Sequence, residues 1–394
     1  MRLVRILKNM KKPTIILILL TIGLFSCSHK KKVITINGKT NLNHSEKVEY
    51  IFPIDGKWFY GDKKTIMTDS AGTFQIKMHV EKASFVTMYV SGKAGTLLIE
   101  PNKTYDVNFE FKQNQKKIDV TSRDSIGQNF YNKLPTPDFD IRNSHNFLQD
   151  SIPAEISSKI NALKDEELSK FNQLLEKGEI SKDFYELAIL DRKCYYLALE
   201  IGVATNMLFQ NYNNKIVNSV NEYWNQKIED LELNEFEYIR SPWFYVLAKN
   251  FIAYNQILSS DFDLQLLREK YNNGEIYKYN ISEAEKYFKG EQLEYYLASY
   301  IFYESWQTKD NSKEIIEIYN DFEKEYPKSV FTKYLTASVQ PIIEYQNEIA
   351  DSSKNYNIQV IENYASINTF DELIEILKGK KMLVDVLGYL VWPM

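Results

Sequence analysis

Between residues 33 and 112 apolar and polar positions alternate with the period of a β-strand. Val33 to Asn37 alternates, and so does Lys47 to Phe52. Asp69-Ser70-Ala71-Gly72 interrupts the pattern as a turn, and Thr73 to Met78 resumes it. Ala83 to Val90, Thr96 to Ile99 and Tyr105 to Phe111 have the same character. Six of the 14 glycines fall in this stretch, as short strands joined by tight turns require. The spacing predicts about seven strands closing as an antiparallel β-sandwich over 33–112.

The period then changes. Leu134-Pro135-Thr136-Pro137-Asp138 reads as a linker, and residues 120–355 as an all-α middle domain. Ile156, Ile160, Leu163, Leu168, Phe171 and Leu175 recur at helical spacing, with Gly178 placed to end the helix. Ser181 opens the next helix, whose predicted inner face holds Phe184, Leu187, Ala188, Cys194 and Leu197. Ser241-Pro242 reads as an N-cap followed by a first-turn proline. Glu291 to Trp306 is a strongly aromatic helix. Ile315, Tyr319 and Phe322 share a face before Pro327, and Ser329 starts another helix. The hairpin around Pro327 resembles a single tetratricopeptide-type unit, and no second copy follows at a fixed period. Acidic runs such as Asp165-Glu166-Glu167 read as solvated helix faces. The abundant tyrosines read as core and rim packing.

The N-terminus has a different logic. Arg2, Arg5, Lys8, Lys11 and Lys12 precede an uncharged run from Thr14 to Phe25, too short to span a bilayer comfortably. Ser26-Cys27 follows. The pattern predicts a secretory signal over residues 1–26. A cysteine directly after the small residue predicts the lipoprotein kind, in which Cys27 carries the lipid, with 27–32 as a tether. The expected partner is therefore a membrane, reached through the Cys27 lipid. The basic run His29-Lys30-Lys31-Lys32, rather than an acidic one, points to the inner leaflet of the outer membrane, facing the periplasm. Losing residues 1–26 takes five basic residues from 48 and no acidic ones from 53, so the mature chain carries a net charge of −10. That balance disfavours nucleic acid, which needs clustered positive charge, and no nucleic-acid partner is expected. Cys194 is then the one remaining thiol besides Cys27, so no disulfide within the chain is expected.

At the other end, Thr369-Phe370-Asp371-Glu372 is a capping box. Phe370, Leu373, Ile374 and Leu377 follow at i, i+3, i+4 and i+7, Lys378-Gly379 closes the helix, and Met382 to Val386 reads as a buried strand with Asp385 inside it. Thr369 to Val386 resembles the approach to the active site in TlpA-like thiol-disulfide oxidoreductases. In that family the strand runs into Trp-Ala-Thr-Trp-Cys-Gly-Pro-Cys-Lys. Here Leu387-Gly388-Tyr389-Leu390-Val391-Trp392-Pro393-Met394 follows, and Val391 and Met394 take the two cysteine positions. One coding of the family motif with a single T inserted in front reads Leu-Gly-Tyr-Leu-Val-Trp-Pro-Met-stop, which reproduces residues 387–394. Residues 356–394 are accordingly expected to be an incomplete thioredoxin-like βαβ start. Thr68 to Phe74 and Leu98 to Tyr105 also resemble the β-domain that precedes thioredoxin domains in Bacteroidetes lipoproteins, with Asn102 where the family has glycine. Asn tolerates positive φ, so the turn is expected to survive.

The expected fold is thus multidomain α+β: sandwich, helical middle, and cut-off thioredoxin start. The resemblance implies thiolate chemistry at a helix N-terminus, with a second thiol to resolve the mixed disulfide. Valine and methionine supply neither thiol, so no dithiol activity is expected from residues 387–394. Cys194, on an apolar helix face, is expected to be buried and inert. His29, His44, His79 and His145 have no metal-ligand spacing, and neither a cofactor nor a phosphate loop is indicated. Asp69-Ser70-Ala71, Asp124-Ser125-Ile126 and Asp150-Ser151-Ile152 fit an Asp-Ser/Thr-apolar glycosylation pattern, which ordinary turns explain as well. The reading is an envelope lipoprotein, the accessory portion of a TlpA-like oxidoreductase without its dithiol, with a periplasmic protein as a candidate partner. The alternative is a non-enzymatic binding lipoprotein for a glycan or peptide.

Overall fold

The computed structural model describes residues 32–355 and 369–376, with breaks at 43, 113–114, 123, 136–141, 148–149, 151, 212–216, 230, 232, 234–235, 260–263 and 309–310. The signal segment, Cys27, the strand expected from Met382, and Val391 and Met394 lie outside the described residues. The chain divides into two compact units, 1–342 and 343–394. Among the described residues no helix is long and apolar enough to cross a membrane.

The first unit is α+β, with strands first and helices after. Its strands are β1 (Val33–Thr40), β2 (Lys47–Ile51), β3 (Lys64–Met67), β4 (Thr73–His79), β5 (Ser84–Val90), β6 (Lys93–Ile99), β7 (Thr104–Lys112) and β8 (Gln115–Val120). One sheet has the order β4-β1-β7-β8 and the other β3-β2-β5-β6. Two features depart from the sequence expectation. An eighth strand, β8, continues beyond residue 112, antiparallel to β7. Its sequence, Gln115-Lys116-Lys117-Ile118-Asp119-Val120, is polar because it lies at a sheet edge. The sandwich is also not wholly antiparallel: β1 and β7 pair in parallel, with Thr35 opposite Thr104. The corner Pro101-Asn102 carries the chain from β6 in one sheet to β7 in the other. Asn102 takes φ +62° there, a conformation asparagine tolerates better than most residues. At the Asp69 turn the carboxylate accepts from the amides of Ala71 and Thr73 (2.9 and 2.8 Å) and from the Thr73 hydroxyl (2.6 Å). Gly72 closes that turn at φ +73°.

Strand alternation divides the buried residues between two cores. Ile34, Ile36, Tyr105 and Val107 of one sheet meet Val86, Met88, Leu97 and Ile99 of the other. Phe85 and Leu98 point the opposite way, into a second cluster with Tyr131, Phe171, Phe184 and Leu187. The β3-β2-β5-β6 sheet is therefore a middle layer, covered by the other sheet on one face and by helices on the other. This explains why β5 is buried almost continuously instead of alternating.

The helices are α1 (Ser125–Tyr131), α2 (Pro153–Glu176), α3 (Lys182–Asn211), α4 (Val217–Glu229), α5 (Phe244–Ser259), α6 (Leu264–Asn272), α7 (Ile276–Tyr287), α8 (Gly290–Phe302), α9 (Lys313–Glu325) and α10 (Thr332–Asn355). α2 ends as its sequence predicts: Gly178 takes φ +69°, with Glu179 N–H donating to Leu174 O and Gly178 N–H to Leu175 O. α3 packs against α2, α4 and α5. Short α1 seals the sheets. Gln128 pairs its amide with both peptide groups of Leu98, Asn132 does so with Thr96, and Asn129 with Val120. β6 and β8 are edge strands, so three side-chain amides stand in for the missing neighbouring strand.

Two helical expectations are corrected. Leu163 is exposed rather than inward-facing, whereas Glu167, read as solvated, is buried. Glu167 is held inside by the equally buried Arg192 of α3, a partner that no local pattern reveals.

In the second unit, the remainder of α10 is followed by α11 (Phe370–Ile376). The capping box forms as read: Glu372 N–H donates to Thr369 Oγ1 (3.2 Å), and Thr369 N–H to Glu372 Oε2 (3.3 Å).

Candidate binding cleft

The sequence-predicted site residues Cys27, Val391 and Met394 lie outside the described residues, so the site is sought in the first unit. Cys194 is fully buried on α3, as its place on the apolar face predicts. Among the described residues no cluster of His, Cys, Asp and Glu could hold a metal ion.

Three groups of polar residues missed by sequence reasoning stand out. The first joins α1, α2 and α3. Arg192 donates to both Glu167 oxygens and to Pro135 O (3.1 Å). Tyr196 O–H donates to Glu167 Oε2 (2.9 Å). Asp191 accepts from Tyr131 O–H (2.7 Å) and Ser241 O–H (2.9 Å). Burial pushes the Asp191 carboxyl up to about 6, against the pull of Arg192. Every member has partners within the core, so the network is structural: it fixes how the helices meet. A smaller cluster, Ser157, Glu200 and Lys227, does the same for α2, α3 and α4.

The second group centres on Lys57, in the loop from β2 to β3. The backbone pins this loop: Ile54 and Lys57 exchange N–H···O bonds, and Gly56 N–H donates to Ile239 O (2.6 Å). Gly56 sits so close to Ser241 that a Cβ would lie 2.1 Å from its carbonyl oxygen. The lysine side chain is carried under the helices. Its Nζ lies 4.1 Å from the Tyr245 ring centroid and 5.6 Å from that of Phe302. Burial, with the nearby positive charge of Lys249, lowers the amine to about 7.

The third group is open to solvent and directly beyond Phe302. α8 does not end cleanly: it widens into a π-helical turn, Tyr303–Gln307. Such turns are often found at functional sites. Here Ser305 bonds back to Ile301 O (2.8 Å) and across to Ser338 of α10 (2.9 Å). The turn brings Trp306 to the surface, 44% exposed, which is unusual in a helix whose other aromatic rings are mostly buried. Trp306 stacks on Phe302 (6.1 Å, 10°), Phe302 meets Phe59 edge-on (4.8 Å), and Phe59 stacks on Tyr334 (4.8 Å, 19°). Phe59 and Phe302 are buried at the base, while Trp306 and Tyr334 stand at the sides. The resulting cleft has a volume of about 380 Å³. Asp62 and Lys333 supply opposite charges at its rim. The Lys333 ammonium lies over the Tyr334 ring (4.6 Å), and its bond to the Tyr334 hydroxyl, with Asp62 nearby, raises its pKa.

Two other recesses offer less. One, of about 310 Å³ between α4, α5 and α7, is chiefly aliphatic and tyrosine-lined. The other, of about 560 Å³ between α7, α8 and α9, is a charged groove whose rim lysine Lys278 is paired with Glu317 (2.8 Å). The aromatic cleft joins stacked aromatic rings to exposed charged groups of both signs, Asp62 and Lys333. A ligand there would be held by stacking and by hydrogen bonds of both senses. One sequence signal pointed towards it, the aromatic run ending at Trp306. Comparison of the chain with protein families, curated proteins and solved structures gives no match.

Proposed function

We propose that this chain is an envelope lipoprotein that binds a ligand rather than reacting with it. In this reading it is anchored through Cys27, faces the periplasm, and corresponds to the accessory portion of a TlpA-like thiol-disulfide oxidoreductase without the dithiol. The observation that carries the binding role is the cleft between exposed Trp306 and half-buried Tyr334, aromatic at its walls and base, with the charged side chains of Asp62 and Lys333 exposed beside it. Ligand pockets generally combine apolar lining with a few fixed polar groups in this way. The chemistry of the thiols supports the same reading: Val391 and Met394 cannot exchange disulfides, and Cys194 is sealed in the core. The envelope placement rests on the Thr14–Phe25 run and Ser26-Cys27.

The test has two arms. The full chain is screened against glycans and peptides by thermal shift, beside a Trp306→Ala variant. A ligand that raises the melting temperature of the parent and not of the variant is the expected result. A ligand whose effect is untouched by the variant would move the site elsewhere. In the second arm, catalytic reduction of insulin disulfides by the full chain would overturn the non-enzymatic reading, and retention of full membrane association by a Cys27→Ser variant would overturn the lipid anchor.

A further inference from the structure

Resting on the cleft being the ligand site, we infer that its occupant is an uncharged saccharide, with one pyranose ring stacked on Trp306 and its hydroxyls shared between Asp62 and Lys333.

The shape of the cleft selects flat, amphipathic ligands. Phe59 and Phe302 already fill its base, so it has little room for a deep apolar anchor. It instead presents the exposed indole of Trp306 on one side, with Tyr334, already covered by Phe59 and the Lys333 ammonium, closing the other. A β-glucopyranose ring turns the axial C–H bonds at C1, C3 and C5 to one face, and these are slightly positive, so they are attracted to the negative face of an aromatic ring. Its hydroxyls project around the edge. A leucine or phenylalanine side chain could use the same indole but would offer nothing to the rim.

The charges narrow the choice. Asp62 can only accept hydrogen bonds when ionised, and Lys333 can only donate them. A hydroxyl does both, so neighbouring hydroxyls on one ring can donate to the carboxylate and accept from the ammonium. The two rim charges cancel, and the cleft therefore attracts neither cations nor anions as such. An acidic sugar would gain at Lys333 and lose at Asp62. The whole chain adds to that discrimination, with 53 acidic residues against 48 basic ones.

The experiment uses the full chain and titrates it with methyl β-D-glucoside, N-acetylglucosamine, maltotriose and cellotriose. Glucuronate serves as the anionic comparison and N-acetyltyrosinamide as the peptide-like one. Calorimetry is run alongside tryptophan fluorescence, with Trp306→Ala, Trp306→Phe, Asp62→Asn and Lys333→Met variants. All three positions are solvent-exposed, so the variants are expected to fold, and unchanged circular dichroism verifies it. The expected result is binding of at least one neutral sugar, weakened at least tenfold by Trp306→Ala, less by Trp306→Phe, and severalfold by each rim variant. If N-acetyltyrosinamide binds in a Trp306-dependent manner and no neutral sugar does, the saccharide assignment fails while the cleft remains the site. If glucuronate binds tenfold more tightly than the neutral sugars, the charge argument fails. If no probe perturbs Trp306, both the saccharide assignment and the cleft reading fail.

Discussion

Lys57 gives the sharpest physical test of the fold, because it is a buried lysine with no acidic partner among the described residues. Its amine falls from 10.5 to about 7, chiefly through burial and secondarily through Lys249. That difference corresponds to ~5 kcal/mol between charged and neutral forms. The Tyr245 ring at 4.1 Å opposes it, since a desolvated cation over an aromatic face gains up to ~2 kcal/mol. Desolvation outweighs it, and the amine stays at about 7. The sign follows from proton linkage. Between pH 7 and 10.5 the unfolded chain holds a proton that the folded chain has released, so folding stability rises with pH across that window. Below about 7 both states hold the proton, and the penalty is fully present. From pH 6 to pH 9 the parent should therefore gain about 3 kcal/mol more stability than a Lys57→Met variant. Methionine keeps the apolar stem and removes the amine, so at pH 7 the variant should be about 4 kcal/mol more stable than the parent. Urea unfolding at half-unit pH steps, followed by far-ultraviolet circular dichroism, measures both quantities. Parallel stability–pH curves for parent and variant would show that Lys57 is not enclosed as described, and would refute the reasoning.

Four further outcomes follow from the same packing. Gln128→Ala leaves the Leu98 N–H and C=O buried without partners and should cost about 2–3 kcal/mol in urea unfolding, whereas Gln128→Glu should cost more because a carboxylate then faces the Leu98 carbonyl. Arg192→Met should destabilise by about 3–5 kcal/mol by stranding Glu167, and Arg192→Met combined with Glu167→Leu should recover much of that loss in a double-mutant cycle. Gly38→Ala places a Cβ 1.9 Å from the Phe74 ring and should cost about 1–3 kcal/mol, with Phe74→Leu relieving it; equal cost in both backgrounds would contradict the contact. Cys194, with 0% exposure, should react with iodoacetamide only after denaturant is added, as mass spectrometry can show.

Much of the architecture can be read from the sequence because it is locally encoded. The two-residue alternation of Val33–Asn37 and Thr73–Met78 places side chains on two faces, and one face must be buried. Gly178 ends a helix because it tolerates a positive φ, Asn102 turns the chain between the sheets at a positive φ, and Thr369 with Glu372 caps a helix through contacts three residues apart. These features depend on neighbours along the chain, so the chain itself determined them, as it did the lack of a thiol at Val391 and Met394. What the tertiary structure alone decided depends on residues far apart in sequence. The parallel β1–β7 pair joins positions such as Thr35 and Thr104, and polar β8 becomes a strand only because β7 offers it an edge. Glu167 looked solvated until Arg192 came to meet it, and Lys57 is buried only because its loop is pinned beneath Tyr245. The cleft has the same origin: Phe59, Trp306 and Tyr334 come from three separate segments, and only packing brings them together. Local periodicity records which residues prefer the interior, but it carries no information about which distant residue will share that interior with them.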